Sequence, residues 1–348
     1  MRKVIGFIGL VTVSVVFSGV LSGQSEQSTN GQALVQTGRP DWAYGIRLEP
    51  QPPRPEDDGT VFSLPDTDQT FTATQIRGRP IADWYPGDHP IPMPDIVANG
   101  RTEEEGPEVL RCALCHYPNG QGRPENASVA GLPVSYFIQQ MDDFRHDLRN
   151  SSEPRKGNSR LMTQIAKNLT DEEILAAAEY FGAQPWRPWV RVVETDTVFR
   201  SYTLGGIYLP VGCEIDHFTE CDDAATTSGA EPLGLRIIET PENIEHAEVQ
   251  RNPRSGWIAY VPVGAVEKGR RLAEAGQCSV CHGPGLKGLG PLPGIAGRTA
   301  SYLMRALYDM QQGTREGLWS DLMKPAVADL STEELLYLVA YAASLDPR

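Results

Sequence analysis

Four of the six cysteines sit in two copies of one five-residue run, Cys112-Ala-Leu-Cys115-His116 and Cys278-Ser-Val-Cys281-His282. Thiols at i and i+3 lie on one face of a helix, a separation that suits bonding to the two vinyl groups of one haem. The histidine that follows is placed to bind iron from the proximal side, and a carbonyl held by its other N–H fixes the tautomer. C-x-x-C-H is the attachment signal of c-type haem. A zinc site made from both pairs needs them about 15–20 residues apart, whereas Cys112 and Cys278 differ by 166 positions. A thioredoxin-like dithiol needs a βαβ setting, and neither copy has one.

The sixth iron ligand is narrowed by a repeat. After the two motifs, Val129-Ala130-Gly131 matches Ile295-Ala296-Gly297, and Ser135-Tyr136 matches Ser301-Tyr302. Leu161-Met162 matches Leu322-Met323, and each is followed by a Leu-[Thr/Ser]-x-Glu-Glu run. Order and spacing agree over about 75 residues, the mark of a duplicated unit. Of Met141, Met162, Met304, Met310, Met323 and His146, only Met162 and Met323 coincide between copies. They lie 50 and 45 residues after their first cysteines, just before a capped helix, where a loop would lay each sulfur over the far haem face. The other methionines read as core packing and His146 as solvated. A Met/His pair is an electron-transfer site, and Met raises the reduction potential.

The elements that must position these residues are helical inside each repeat. Thr170 with Glu173, and Ser331 with Glu334, are capping boxes, with apolar residues at helical spacing behind them (Ile174, Ala178, Phe181; Leu335, Val339, Ala342). Upstream, residues 265–275 predict a helix in which Gly269 permits close approach of a partner. The first copy's weaker counterpart is Pro94–Arg101, with Gly100 in the matching place. Residues 187–262 change character: 190–193, 206–209, 235–238 and 257–261 are β-rich runs between turn residues, a small insert bridging two helical units. Ahead of the first repeat, residues 24–94 hold 11 of the 28 prolines. They predict an extended arm with aromatic anchors such as Trp42 and Trp84.

Residues 1–23 read as a secretory signal, with Arg2 and Lys3 before an apolar run; an uncleaved run would be a membrane anchor. Nothing later is apolar enough to span. Export places the chain in an oxidising space, where Cys213 and Cys221 would form a disulfide; two free thiols are the alternative the sequence leaves open. Over 348 residues, 40% hydrophobic and 22% charged residues describe a globular protein. A net charge of −14 argues against nucleic acid as a partner.

Both repeats resemble class I c-type cytochrome domains: attachment motif, proline-containing loop before Ala-Gly, axial Met, closing helix. The C-terminal copy is the cleaner match. The resemblance implies that the carbonyl of Pro293, in Gly290-Pro-Leu-Pro-Gly-Ile-Ala-Gly297, receives the N–H of His282. The N-terminal copy departs there, with Ala127 opposite Pro293 and Pro124 the nearest upstream proline. Arg298, after Gly297, is a candidate for a haem propionate. As a tandem chain it is similar in kind to di-haem cytochromes c4, which lack the arm and an insert of this length. The expected fold is mainly α, with cytochrome c domains at 95–186 and 263–348 flanking the β-rich insert at 187–262. The expected function is a periplasmic electron carrier, not an enzyme, with two covalent haem c groups. Cys112, Cys115, Cys278 and Cys281 are the expected attachment points, and His116, Met162, His282 and Met323 the axial ligands. Its partners would be a periplasmic dehydrogenase, an oxidase or another cytochrome. The alternatives are a peroxidase-like di-haem enzyme and a cytochrome subunit of a larger complex.

Overall fold

The computed structural model describes residues 38–46, 56–213 and 228–348. The expected signal, the first part of the arm and Cys221 lie outside the described residues. Among the described residues, no helix is long and apolar enough to cross a membrane.

The arm is more than an extended strap. It contributes a helical turn, α1 (Asp41–Tyr44), and an antiparallel pair, β1 (Val61–Ser63) and β2 (Thr70–Thr72). It also forms α2 (Ala73–Ile76), which opens on a capping box of Thr72 and Gln75. The pair closes over Trp84, which is 1% exposed and meets Phe71 edge-on at 4.8 Å. The Trp84 indole N–H donates to the Gln250 carbonyl at 2.8 Å, so this tryptophan ties the arm to the insert. Ala43 and Tyr44 enter the core of the second repeat.

The first repeat comprises α3 (Asp95–Ala98), α4 (Cys112–His116), α5 (Val134–Arg145), α6 (Gly157–Asn168) and α7 (Asp171–Ala183). The helix expected over Pro94–Arg101 stops after one turn. Gly100 takes φ +70°, and a Cβ there would lie 2.2 Å from the Val109 carbonyl oxygen. The chain therefore turns back, and Arg101 pairs with Val109. The polar Thr102-Glu-Glu-Glu-Gly-Pro run that follows has no apolar stripe to continue a helix.

Among its described residues the insert holds seven strands: β3 (Val190–Glu194), β4 (Thr197–Phe199), β5 (Ser201–Leu204), β6 (Ile207–Pro210), β7 (Ala230–Pro232), β8 (Ile238–Pro241) and β9 (Trp257–Val261). Gly205-Gly206, both at positive φ, make the two-residue β5–β6 hairpin turn. The run expected at 235–238 begins its strand only at Ile238, because Arg236 folds back to donate to the Leu233 and Pro232 carbonyls. The sheet order β3-β9-β8 pairs the entering and leaving strands in parallel, Val190 opposite Trp257.

The second repeat comprises α8 (Ala265–Ala275), α9 (Cys278–His282), α10 (Ala300–Gln311), α11 (Leu318–Val327) and α12 (Thr332–Ser344). Both closing helices, α7 and α12, carry the capping boxes read from sequence. Where α8 crosses α12, a Cβ on Gly269 would lie 1.9 Å from the Tyr337 carbonyl oxygen. The backbones touch directly, and Gly100 has no such role. Gly269→Ala is expected to destabilise the chain by roughly 1–3 kcal/mol through overpacking, measured by denaturant unfolding followed by far-UV circular dichroism.

Candidate functional site

Cys112, Cys115 and His116 line a single cavity with Met162, and its other walls are largely apolar: Leu132, Phe137, Phe144, Ile165 and Phe181. The motif helix α4 lasts little more than a turn because Tyr117 leaves it at φ +63°. The chain then loops so that the His116 carbonyl accepts from Gly122 N at 2.9 Å. Eleven residues after the histidine, the Ala127 carbonyl lies 2.8 Å from His116 Nδ1. The second motif repeats this arrangement. The His282 carbonyl accepts from Gly288 N, and the Pro293 carbonyl lies 2.9 Å from His282 Nδ1. The first copy keeps the contact without a proline because the acceptor is main chain. With Nδ1 as donor, each Nε2 is left to ligate.

Burial favours the neutral imidazole at both histidines. It also pushes the Cys112 thiol up to about 12. Two thiols one turn apart, an imidazole with one nitrogen spent on a carbonyl and an apolar cavity fit a covalently held porphyrin.

The loop position expected for the two methionines is not what forms. Met162 lies inside α6 and Met323 inside α11, because Leu161 and Ile165, and Leu318 and Leu322, extend helical spacing through both segments. Met162 lines the first cavity, and Met323 packs with Cys278 against the core of the second repeat. Met141 lines the first cavity as well, while Met304 and Met310 are buried in α10. His146 is exposed and bonds only within its own turn. Cys213 is disulfide-bonded.

The two motifs differ in what covers them. At the first, Arg251 of the insert donates to the Leu114 carbonyl and stacks over Tyr117 at 5.0 Å. Asn119 donates to the Pro253 carbonyl at 2.6 Å, and Arg123 lies buried between Glu125 and Glu248. Arg111 donates to the Arg77 carbonyl of the arm. At the second, Val280, which occupies the place of Leu114, is 67% exposed, Leu289 is 54% exposed and Leu322 is 65% exposed.

Arg298 sits where the repeats meet, and the structure spends its donors on backbone. It bonds Gly294 O at 2.6 Å, Ser128 O at 2.7 Å and Ala130 O at 3.4 Å, and stacks on Trp186 at 4.5 Å. Trp186 in turn donates to the Ala296 carbonyl. A reciprocal contact lies beside it. Arg149 donates to the Tyr302 hydroxyl and Arg315 to the Tyr136 hydroxyl, each at 3.1 Å, and the two arginines pair as an antiparallel bridge. Sequence reasoning paired Tyr136 with Tyr302 but did not carry the same 166-residue offset on to Arg149 and Arg315, where it would have found them.

Comparison with known proteins places this geometry. The family model for cytochrome c matches residues 104–183, within the first repeat. Cytochrome c-554(548) of Halomonas halodenitrificans is 32% identical over 78 residues, 22% of this chain and 88% of that protein. The chain belongs to the cytochrome c family. It is a mainly helical electron-transfer cytochrome with two covalently bound haem c groups. It is also similar to a protein named thiosulfate dehydrogenase electron acceptor from Stutzerimonas stutzeri. That match is 24% identical over 242 residues, 69% of this chain and 81% of the relative. A solved structure, thiosulfate dehydrogenase (TsdBA) from Marichromatium purpuratum, aligns at 24% identity with a TM-score of 0.42; the alignment covers 71% of this chain and 38% of that one.

Met162→Ala is expected to remove the weak far-red sulfur–iron band of the first haem and lower its potential, whereas Met141→Leu leaves both. Optical spectra and redox titration of the purified holoprotein check this, and the reverse pattern would assign the ligand to Met141.

Proposed function

We propose that this cytochrome is an exported, periplasmic two-haem carrier whose second haem is the port for redox partners and whose first is an enclosed relay. The observation that supports this most is the contrast between the motifs: Leu114 lies under the insert, while its counterpart Val280 is 67% exposed. In this reading Cys112 and Cys115, and Cys278 and Cys281, hold the porphyrins, His116 and His282 bind iron proximally, and Met162 and Met323 bind distally. Bound haem supplies one-electron ferrous/ferric chemistry. The chain's own residues hold the imidazoles in one tautomer, exclude water from the first cavity and leave an apolar rim at the second.

The donor is a dehydrogenase in the same compartment. Likeness to a thiosulfate dehydrogenase electron acceptor supports one that oxidises thiosulfate, with another cytochrome or an oxidase receiving the electrons. The described tryptophans support a carrier with built-in braces, since Trp84, Trp186 and Trp189 all pack within the chain. The domain limits that fit this organisation are 95–186 and 263–348, joined by the insert at 187–262.

Oxidised holoprotein mixed with thiosulfate and a catalytic amount of a thiosulfate dehydrogenase is expected to become reduced. Val280→Glu is expected to slow that reduction about tenfold, a loss of about 1.4 kcal/mol in productive docking, with both haem spectra unchanged. An unaltered rate would move the port elsewhere, and no reduction would remove the thiosulfate-linked donor. Peroxide is expected to leave both Soret bands in place; a high-spin change at the first haem would turn the reading toward a peroxidase-like enzyme.

A further inference from the structure

The wall of the first cavity is not built from the first repeat alone. Tyr302, Arg305 and Arg315 of the second repeat line it beside Tyr136 and Arg149. Arg315 is 4% exposed, donates to Gln140 Oε1 at 2.7 Å as well as to Tyr136, and leaves its Nε without a partner. Arg149 is half-buried over the Phe144 ring at 4.5 Å.

Among the described residues neither guanidinium has an ion-pair partner. The two nearby carboxylates are engaged elsewhere: Asp143 accepts from Gln139 and Gln140, and Asp309 from the Tyr44 hydroxyl and Ser152 N. Asp309 and Asp143 act on these arginines only through space, and a buried cation without a direct partner is expensive, so this wall is shaped for an anion. Tyr302 registers the same excess of positive charge. Burial alone would raise its phenol, but Arg149, Arg315 and Arg298 outweigh that and bring it down to about 8.

We propose that Arg315 and Arg149 bind the haem carboxylates in the first cavity, so that a residue of the second repeat supplies counter-charge to the first haem and sets part of its reduction potential. The proposal rests on the reading that this cavity holds haem. A planar guanidinium matches a carboxylate in two parallel hydrogen bonds, and Arg315 lines the cavity with its Nε unpartnered. A cation held near the iron disfavours the ferric state and keeps the potential high. The repeats would then be coupled electrostatically as well as by packing.

The test is a redox titration of the full-length holoprotein with haem counted per chain, the first couple being the one that Met162→Ala also moves. Arg315→Gln is expected to lower the ferrous/ferric ratio of the first haem about tenfold at a fixed solution potential, which is about 59 mV for a one-electron couple. Arg315→Lys is expected to restore most of the shift, and the second haem to move much less. Should Arg315→Gln fail to fold, Arg149→Gln at the less buried partner is expected to lower the same couple.

An unchanged first-haem potential with two haems per chain would overturn the proposal and leave the cofactor reading intact, whereas one haem per chain would overturn both. Inorganic phosphate is the probe for a free oxyanion in this site. A wild-type potential that shifts with phosphate at constant ionic strength would overturn the assignment to the haem carboxylates, and an unshifted one is the expected result.

Discussion

Each motif histidine gives one ring nitrogen to a backbone carbonyl, and the loop after each motif is shaped to supply it. The acceptor is a backbone carbonyl eleven residues on, Ala127 at 2.8 Å and Pro293 at 2.9 Å. To bring that carbonyl round, the chain must reverse at once. Tyr117 and Gly283 leave their helices at positive φ, and the histidine carbonyl itself accepts from the sixth residue after it. Gly122 and Gly288 close the reversal where a Cβ would meet the Ala127 carbonyl oxygen at 2.6 Å and Gly294 N at 2.9 Å. The longer helices, α5 to α7 and α10 to α12, then pack around a ring whose tautomer and direction are already set.

Upon that shared scaffold the two halves diverge through what is laid over them. The first is roofed by the arm and the insert, with the buried Arg123 held between Glu125 and Glu248 as the polar link. Such an arrangement holds only if each charge is compensated, because desolvation of a single unpaired member exceeds what packing returns. Among the described residues the second half has no comparable roof, and Val280, Leu289 and Leu322 stay exposed. Duplication therefore supplied two equivalent sites, and the additions to one of them made their access different.

The joint between repeats is unusually polar for a buried surface. Arg298 and Arg305 spend their donors on carbonyls of the facing segments, including Ser128 and Pro124, while Arg149 and Arg315 exchange phenol partners. Directional bonds of this sort set the angle between the halves more narrowly than apolar contact does, since each loses its donors' partners if the halves rotate. The joint borders the first cavity, so the same residues that fix orientation also set the local field there.

Much of this was legible in the residue order. The cysteine pairs, their histidines, the capping boxes at Thr170 and Ser331 and the repeat itself all depend on neighbours within a turn or two, or on self-similarity. Local chemistry determines such features before the chain folds. The sequence alone misplaced Met162 and Met323 in loops and extended α3 past Gly100. The turn at Gly100 came from a contact with a later segment, Val109, whereas the methionines were misread locally, since Leu161 and Ile165, and Leu318 and Leu322, already carry helical spacing. The roof over Leu114 and the exchange between Arg149 and Arg315 were likewise decided by the tertiary structure, because they join residues more than a hundred positions apart, and no local pattern encodes which distant carbonyl or phenol will accept.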